Sequence, residues 1–418
     1  MDTLTHALSG ALLARLICAR PAAAALPHEV ARVLAPAGRF GAAWDQAPGH
    51  LAPWQVVVVG ALAAAFPDID AVTQAFGEFV YLRHHRGVTH SVLMAPLWAA
   101  VLAAIFARWF AATRERAGGW KALYVPVLAA LLIHIAGDWI TPFGTMMLAP
   151  FSDARLGLGA MFIIDLGFSG ILIAALGLAA LLPRRRWPAA LGLAGAAAWV
   201  ALAWVGQQEA EAAGRAYAQA RGVRAETVEA MPRPASPFNW TVAVFDGHEY
   251  HLAHINTRRK APLVAGPDDF FVRRFSAPYL PVDQAQWTRL PRLGGEGTPP
   301  WVKQAWEHEV FATFRWFAQA PSLLEAVERS RLATTAPRAG DAAAAGMAAG
   351  ASAAGPNAAA AIDASADPQA EAERCAAFRD LRFETPGREG SPFRYAVCLG
   401  GAGQARVFRL EGPAWRPI

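Results

Sequence analysis

Histidine and aspartate residues stand in four short polar clusters that interrupt long apolar stretches of the chain. The clusters are Thr5-His6, Pro67-Asp68-Ile69-Asp70, residues 84–91, which include His84, His85 and His90, and residues 134–138. Imidazole nitrogens and carboxylate oxygens bind metal ions, and ionisable groups within apolar segments are costly unless they serve a function. The clusters therefore predict a metal centre.

The spacing within two clusters narrows the choice of ligands. His134 and Asp138 are four residues apart in a predicted apolar helix, so their side chains share one face and can bind the same ion. Asp68 and Asp70 are two residues apart. An extended chain would point them to opposite sides, whereas a turn would let them converge. Of the two, Asp68 is the preferred ligand.

Some of the polar residues also have a purely structural interpretation. A lone histidine in an apolar helix, such as His6, is more often a packing residue than a ligand. His84 and His85 are adjacent in a loop, and only one of them can easily face an ion. Asp165, near the outer end of a later span, either pairs with Arg155 or orients a ligand histidine.

The mixture of nitrogen and oxygen ligands favours zinc, with manganese or iron as alternatives, over calcium or copper. The candidates exceed the needs of one ion, so one or two ions are expected. Two metals can activate a water molecule and neutralise phosphate oxygens, which predicts the hydrolysis of a phosphoester. Asp68 or Asp70 is then the candidate general base.

The apolar content of the chain predicts an integral membrane protein. Hydrophobic residues make up 55% of the 418 residues and charged residues only 17%, which is more apolar than a soluble domain requires. The long hydrophobic runs fall almost entirely in residues 1–206. They predict five or six membrane segments, at residues 4–19, 54–66, 92–112, 122–140, 161–182 and 187–205.

The basic residues predict the orientation of these segments. Lys and Arg gather at residues 15–39, 108–121 and 184–186, and such loops are normally cytoplasmic. The polar clusters and the second half of the chain then lie on the opposite, periplasmic side of a bacterial inner membrane. The net charge of +5 is scattered and forms no basic stripe interleaved with aromatics, so we expect no nucleic acid among the partners.

The predicted fold class is mostly α: a polytopic helical membrane domain followed by a small extramembrane α+β domain. Residues 1–206 form the membrane domain, and residues 207–332 form a helical stalk and the first part of the α+β domain. A β-hairpin is expected around Asp246-Gly247, and a helix with a core-facing aromatic stripe over residues 301–318. Residues 333–370 are a low-complexity Ala/Gly-rich linker or insertion, and residues 371–418 supply the last strands.

Two further groups of side chains leave their interpretation open. Cys375 and Cys398 either pair in an oxidising periplasm or are two unrelated buried thiols. His248, His251 and His254 are spaced three residues apart in or beside a predicted strand, so their side chains fall on both of its faces. This placement favours packing over a second metal site.

Taken together, the motifs resemble those of the YdjM-type family of membrane-bound metal-dependent hydrolases. The resemblance rests on Thr5-His6 with Gly10, Pro67-Asp68-Ile69-Asp70, residues 85–91, and His134-x-x-x-Asp138 followed by Thr141-Pro142-x-Gly144. It covers the N-terminal half and extends to Pro237-Phe238-Asn239-Trp240 in the second half. The His-x-x-x-Asp element is also distantly similar to one in zinc-dependent phospholipase C-like enzymes.

The resemblance implies a metal-dependent hydrolase with a defined set of site residues. The implied metal ligands are His6, Asp68, Asp70, His85, His90, His134 and Asp138. The resemblance implies that Arg86 would hold the substrate phosphate, because its planar guanidinium matches phosphate oxygens. A lipid or lipid-linked phosphoester is the expected substrate, since the site is predicted at headgroup depth, and membrane lipids are the expected partners. The alternative is a non-enzymatic metal-binding scaffold or an ion transporter.

Overall fold

The computed structural model describes residues 1–18, 51, 53–114, 119–183, 185–329, 373–388, 390–400, 404–412 and 414–418. The chain forms two compact units, Met1–Leu290 with Thr385–Arg388, and Pro291–Glu384 with Glu389–Ile418. The predicted low-complexity segment at residues 333–370 lies outside the described residues, as does most of the basic segment at residues 15–39. The domain boundaries drawn from the sequence stay predictions.

The first unit begins with a helical region that holds all four polar clusters. Its helices are α1 (Thr3–Cys18), α2 (Pro53–Ala65), α3 (Glu78–His84), α4 (Ala95–Trp109), α5 (Ala111–Arg114), α6 (Gly119–Trp139), α7 (Leu166–Leu181) and α8 (Trp187–Arg221). Two 3-10 helices are also present: Phe66–Phe76 lies between α2 and α3, and Val88–His90 lies between α3 and α4. The helical, apolar character predicted for this region is confirmed.

Three stretches of helix are long and apolar enough to cross a membrane, namely Trp54–Phe76, Gly119–Trp139 and Trp187–Arg221. A fourth candidate is the pair Glu78–His90 and Ala95–Trp109, which is bent by 77°. Helices α1 and α7 are apolar but have only 16 residues each, fewer than the roughly 17–25 that a span requires. The described residues thus give three to four candidate spans, and the count of five or six stays a prediction.

The helices pack through small residues, as is common for helices in membranes. Helix α1 crosses α2 where Gly10 meets Gly60 and Ala64. A Cβ atom added to Gly10 would collide with the Gly60 carbonyl oxygen and the Ala64 side chain. The two backbones are therefore in direct contact, and this contact fixes the position of α1, which carries His6.

We expect Gly10→Ala to destabilise the protein by about 1–3 kcal/mol, because the new methyl group overpacks a backbone contact that cannot yield. Gly170→Ala is the matched control, since a Cβ at this helical glycine meets nothing within 4 Å. The control should be neutral or stabilised by up to about 1 kcal/mol. Unfolding of both variants in an SDS titration measures the difference, and equal midpoints would contradict the inferred crossing.

Helix α8 runs for 35 residues without interruption from the apolar region into the polar part of the unit. It ends at Gly222, which adopts a left-handed conformation at φ 64°. Near its end the helix packs on the following sheet, where a Cβ at Gly214 would meet Val228 at 2.7 Å and Val242 at 2.8 Å. The helical segment predicted after residue 206 is thus part of one long helix and is held against the sheet.

The sheet of the first unit has the order β1-β2-β3-β4, with β5 also paired to β3. Its strands are β1 (Thr227–Pro232), β2 (Asn239–Phe245), β3 (Glu249–Asn256), β4 (Leu280–Pro281) and β5 (Thr288–Pro291). A short helix, α9 (Phe271–Ser276), precedes β4. Strands β2 and β3 form the antiparallel hairpin expected around Asp246-Gly247, in which Asn239 pairs with Asn256 and Phe245 with Tyr250.

The second unit is built on one sheet of order β10-β9-β8-β7-β6. Its strands are β6 (Pro321–Arg329), β7 (Glu373–Asp380), β8 (Arg394–Leu399), β9 (Ala405–Glu411) and β10 (Ala414–Pro417). Cys375 and Cys398 are opposite each other in β7 and β8 and form a disulfide with an S–S distance of 2.00 Å. The sequence left open whether these cysteines pair or are unrelated buried thiols, and in the structure they pair.

The aromatic segment before β6 differs from its prediction as a single helix. It consists of α10 (Trp301–Glu307), a 3-10 turn at Glu309–Phe311 and α11 (Ala312–Phe317). The break lies at His308, whose extended backbone (φ −58°, ψ 142°) ends α10 and whose side chain accepts a hydrogen bond from the Val310 amide. The predicted core-facing role is confirmed, because Trp306, Phe311, Phe314 and Phe317 are buried.

Candidate metal centre

Three of the four polar clusters converge on one point in the helical region. The 3-10 helix after α2 supplies Asp68, the turn after α3 supplies His90, and the last two turns of α6 supply His134 and Asp138. One nitrogen or oxygen atom from each of these four side chains lies within 4.8 Å of every other. Residues 70 positions apart in sequence thus form one compact group of metal-binding side chains.

The distances within this group suit a single small cation. His90 Nε2 is 3.1 Å from Asp138 Oδ2 and 3.7 Å from Asp68 Oδ1. His134 Nε2 is 3.4 Å from Asp138 Oδ2 and 3.8 Å from Asp68 Oδ1. Four ligands about 2.0–2.1 Å from a tetrahedral zinc ion lie about 3.3–3.4 Å from one another. The spread of the observed distances brackets that value.

Three of the four converging atoms are also unsatisfied. His90 Nε2, His134 Nε2 and Asp138 Oδ2 are buried, and although the first and last of these atoms are 3.1 Å apart, none of the three makes a hydrogen bond of suitable geometry within the described part of the chain. Leaving a buried polar atom unpaired typically costs about 1–3 kcal/mol. A divalent cation at the point where these atoms meet would satisfy all of them, so the residues fit a bound metal ion.

The opposite nitrogen of each imidazole ring is held by an oxygen. His90 Nδ1 lies 3.1 Å from Asp70 Oδ2, and His134 Nδ1 lies 2.5 Å from the carbonyl oxygen of Ala64. Metal-binding histidines usually donate their second ring N–H to a carboxylate or carbonyl, which fixes the tautomer and the ring orientation. Both histidines are therefore arranged to present Nε2 to the centre.

The Ala64 carbonyl is available to His134 because of a proline two residues after the end of α2. The chain turns into 3-10 helix at Phe66, in which the amide of residue 67 would bond to the carbonyl of residue 64. Residue 67 is proline and has no N–H to donate. Pro67 thus leaves the Ala64 carbonyl accessible to the histidine ring.

Asp70 lies beside the group and joins several of its supports. Its carboxylate accepts hydrogen bonds from the Arg86 amide at 3.0 Å and the Thr89 hydroxyl at 2.7 Å, and it contacts His85 Nδ1 at 2.6 Å. The two aspartates of the Pro-Asp-Ile-Asp motif therefore stand at opposite edges of the His90 ring. Asp68 faces Nε2 and Asp70 faces Nδ1.

The structure also distinguishes the two adjacent histidines. The His85 ring reaches Asp70 and stacks on Tyr81, with the ring centroids 4.5 Å apart. His84 is exposed. Of the two, His85 is the one that belongs to the site, although its ring contacts Asp70 and not the four converging atoms.

Arg86 is buried beneath the site. Its guanidinium lies 2.8 Å from Asp138 Oδ1, donates to the Thr141 hydroxyl at 2.9 Å, and stands over the ring of Phe143. Its backbone has φ 60°, a conformation that residues other than glycine adopt only at a cost in free energy. In this position Arg86 neutralises and orients Asp138, and its role in holding a substrate phosphate stays a prediction.

Helix α1 closes the site from the other side. The His6 ring stacks on His134 at a centroid distance of 3.7 Å, and its Nε2 lies 3.1 Å from Asp138 Oδ1. The amino group of Met1 contacts the same carboxylate oxygen. Asp138 thus has one oxygen engaged by positive or hydrogen-bonding groups, while Oδ2 faces the converging nitrogens.

The site is reached through Asp68. Its side chain is 15% exposed, whereas those of His90, His134 and Asp138 are fully buried. The Thr3 hydroxyl donates to Asp68 Oδ2 at 2.6 Å. Leu4 and Ile69, which are next in sequence to Thr3 and Asp68, expose apolar side chains, at 65% and 59%.

The other groups singled out in the sequence contact residues outside the four converging atoms. Asp165 caps α7 by accepting from the Phe168 amide, and it also accepts from the Trp199 indole. His251 is buried and lies 3.0 Å from the Tyr217 hydroxyl, with Asp246 and Glu249 close to its other nitrogen. Burial, assisted by the charge of Arg233, lowers the pKa of His254 to about 4, so this histidine is neutral at physiological pH.

Sequence reasoning missed several residues that support the site. Thr3 beside Asp68 and the Met1 amino group beside Asp138 are brought there by the crossing of α1 over α2. The contact of His134 with the Ala64 carbonyl involves the backbone of Ala64 and so cannot be inferred from the type of that residue, although Pro67 indicates a carbonyl without its usual amide partner. Arg155 donates to the carbonyls of Leu82 and His85 and so fixes the loop that carries the site, a role that no spacing pattern indicates.

The fold and the site define a class of protein: a membrane protein of apolar helices with a group of histidine and aspartate side chains between their ends, followed by a sheet-rich region. The sequence profile of the YdjM inner membrane protein family matches residues 1–210. The chain belongs to this family, as its motifs led us to expect.

One further relative is similar over a shorter stretch. The chain is 30% identical over 110 residues to the uncharacterized protein YfhP of Bacillus subtilis (strain 168), which corresponds to 26% of this chain and 32% of that protein. The chain thus spans about a third of the length of this relative. No solved structure matches the chain, and the expected similarity to phospholipase C-like enzymes stays a prediction.

Proposed function

We propose that this protein is a membrane-bound, metal-dependent hydrolase that cleaves a phosphoester at the periplasmic face of a bacterial inner membrane. The observation that carries the proposal is the convergence of His90 Nε2, His134 Nε2 and Asp138 Oδ2, three buried atoms without a hydrogen bond of suitable geometry among the residues that the structure describes. Two imidazoles and one carboxylate form the type of ligand set that binds catalytic zinc and leaves a fourth position open.

The ion would be held by His90, His134 and Asp138, with Asp68 at the open side. Asp68 Oδ1 is the most distant of the four ligand atoms from the two imidazole nitrogens, at 3.7 and 3.8 Å, and its side chain is the exposed one of the group. A divalent ion bound there would supply Lewis acidity, lowering the pKa of water and neutralising charge on phosphate oxygens.

In the proposed reaction Asp68 takes the proton of the attacking water, because its carboxylate faces the open side. The water oxygen forms a new bond to phosphorus, the ester P–O bond breaks, and the alcohol leaves with the proton that Asp68 took from the water. Asp70 would keep the His90 ring oriented throughout, because its carboxylate is shared by His85, His90 and two further donors. One ion is proposed, since the described residues of the helical region contain a single such group.

A lipid or lipid-linked phosphoester is the proposed substrate. The four ligand-bearing side chains come from the ends of apolar helices, near headgroup depth. Leu4 and Ile69, next in sequence to Thr3 and Asp68, expose apolar side chains. Exposed apolar side chains this close in sequence to the site favour a phosphate that carries an acyl or prenyl chain over one that is free in water.

The test is a hydrolysis assay on the full chain in nanodiscs, after removal of metal with a chelator and return of zinc. Phosphatidic acid, a prenyl monophosphate and water-soluble p-nitrophenyl phosphate serve as probes, in water enriched in ¹⁸O. We expect zinc-dependent release of phosphate that carries one ¹⁸O atom, with the lipid probes preferred. Asp68→Asn should bind zinc but lose activity at least about 100-fold, in the range expected for loss of a general base.

The assay also separates the proposal from its alternative. Zinc bound in about one equivalent, with no turnover of any phosphoester, would favour a metal-binding scaffold and overturn the hydrolase. Activity that is equal in Asp68→Asn and the parent protein would remove Asp68 from the mechanism. As a control for insertion and folding, both proteins should show the same elution volume and the same resistance to SDS.

A further inference from the structure

The segment between β3 and β4 exposes a group of large apolar side chains. Val264 is 78% exposed and Phe270 is 70% exposed, and Phe271 and Phe275 are also on the surface. The rings of Phe270 and Phe271 contact each other, with centroids 4.5 Å apart. Several exposed aromatic side chains on one short segment mark a surface that contacts something apolar.

The same segment is basic. Residues 258–275 contain five Lys or Arg side chains and two Asp side chains. Arg273 and Arg274 stand between the phenylalanines of α9, and their guanidinium groups donate to the carbonyls of Val264 and Pro267. These contacts hold the loop and the helix together as one piece, and both arginines remain exposed. Apolar and basic side chains therefore share one surface.

Contacts with helix α8 place the start of this segment at the level where the apolar part of that helix ends. The apolar stretch at residues 187–205 is about 29 Å long at 1.5 Å per residue, close to the roughly 30 Å hydrocarbon thickness of a bilayer. Glu209 lies one turn beyond it. Arg258 Nη2 is 2.7 Å from Glu209 Oε1, so the segment begins at the boundary between hydrocarbon and headgroups.

The end of the segment is fixed to the same level. Arg259 donates to the Ser276 carbonyl at 2.9 Å and to the Ser276 hydroxyl at 2.8 Å. Asn239 Nδ2 donates to the same hydroxyl at 3.0 Å, and its neighbours Phe238 and Trp240 lie against Gly206 of α8. The phenylalanines therefore cannot move far from the membrane boundary.

We infer that residues 260–275 form a membrane-binding surface, which inserts Phe270 and its aromatic neighbours into the boundary between headgroups and acyl chains of an anionic leaflet. Apolar side chains supply the insertion energy, and the surrounding Lys and Arg bind anionic headgroups. The function of this surface is to hold the β1–β5 sheet against the bilayer. The inference depends on α8 and the sheet, and is independent of the proposed hydrolysis.

The test measures the depth of Phe270 in the membrane with a fluorescent label on the full chain. In a Cys18→Ser background, Phe270→Cys is labelled with bimane and reconstituted in vesicles of phosphatidylcholine and phosphatidylglycerol that contain 5-doxyl lipid. His248→Cys is the matched control. His248 is exposed in the turn at the other end of β2 and β3, about 20 Å farther along the strands at 3.4 Å per residue.

We expect doxyl lipid to quench the label at position 270 at least threefold more than the label at position 248, and iodide in the water to give the reverse order. Changing Arg273 and Arg274 to Gln should weaken the quenching at position 270 in anionic vesicles. Equal quenching by lipid at both positions would overturn the inference. A label at position 270 that is protected from iodide but not reached by doxyl lipid would also overturn it, in favour of a protein partner.

Discussion

The His90→Ala variant will lose at least about 100-fold in zinc affinity, more than the 10–100-fold that loss of an outer supporting residue typically costs. His90 is fully buried, and its Nε2 atom lies within 3.7 Å of both Asp68 and Asp138. Its removal takes away one of the three atoms that would surround the ion, and the remaining side chains cannot replace an imidazole held from the opposite side by Asp70.

His84→Ala is the matched control for this experiment. It removes the same type of side chain six residues earlier, at the end of α3, where His84 is exposed and lies outside the group of converging atoms. Elemental mass spectrometry on detergent-purified protein should find about one equivalent of zinc in the parent and in His84→Ala, and little in His90→Ala. Equal zinc in the two variants would disprove the assignment of the site, whatever the activity of the protein.

The second large effect is expected at Arg86. In protein kept free of metal by a chelator, Arg86→Met should lower the free energy of unfolding by about 3–5 kcal/mol, the usual cost of breaking a buried ion pair from one side. The substitution leaves the Asp138 carboxylate buried without its guanidinium partner. Methionine has a similar length and meets the same backbone φ of 60°, so backbone strain does not explain the difference.

Arg83→Met provides the control for Arg86. Arg83 is three residues earlier, is 45% exposed, and pairs with Asp153 at 2.9 Å. Exposed pairs contribute about 0–1 kcal/mol, so this variant should unfold close to the parent. Combining Arg86→Met with Asp138→Asn should restore at least part of the stability, because the uncompensated charge is then removed. SDS titration measures all of these, and a double variant weaker than Arg86→Met alone would refute the pairing argument.

Much of the site could be predicted from residue type and spacing. The four-residue interval of His134 and Asp138 fixes them on one helix face, and the cost of a carboxylate in an apolar helix predicts a function for Asp138. The helical nature of the first half follows from its apolar runs. These inferences need only local periodicity, which the sequence shows directly.

The sequence could not predict which residues face the centre and which support them, because these roles depend on contacts between distant segments. The sequence favours Asp68 over Asp70 as a ligand, but nothing in it indicates that Asp70 supports the His90 ring from the opposite edge. In the structure the 3-10 helix that contains both aspartates sets their positions. The placement of Arg86 under Asp138 likewise depends on how the loop at residues 85–91 folds over α6. The ligand set implied by the resemblance stays a prediction until metal is measured.

The unbroken course of α8 limits how this family's sequences can change in length. Each residue inserted into a helix rotates everything after it by about 100° and moves it by about 1.5 Å. One extra residue between Gly206 and Gly214 would carry Gly214 and the sheet around the helix axis together, and would so take Pro237 and Trp240 away from Gly206, beside which they now lie. Insertions of about seven residues, which nearly restore the angle, are the shortest that would keep the sheet in phase with the membrane helices.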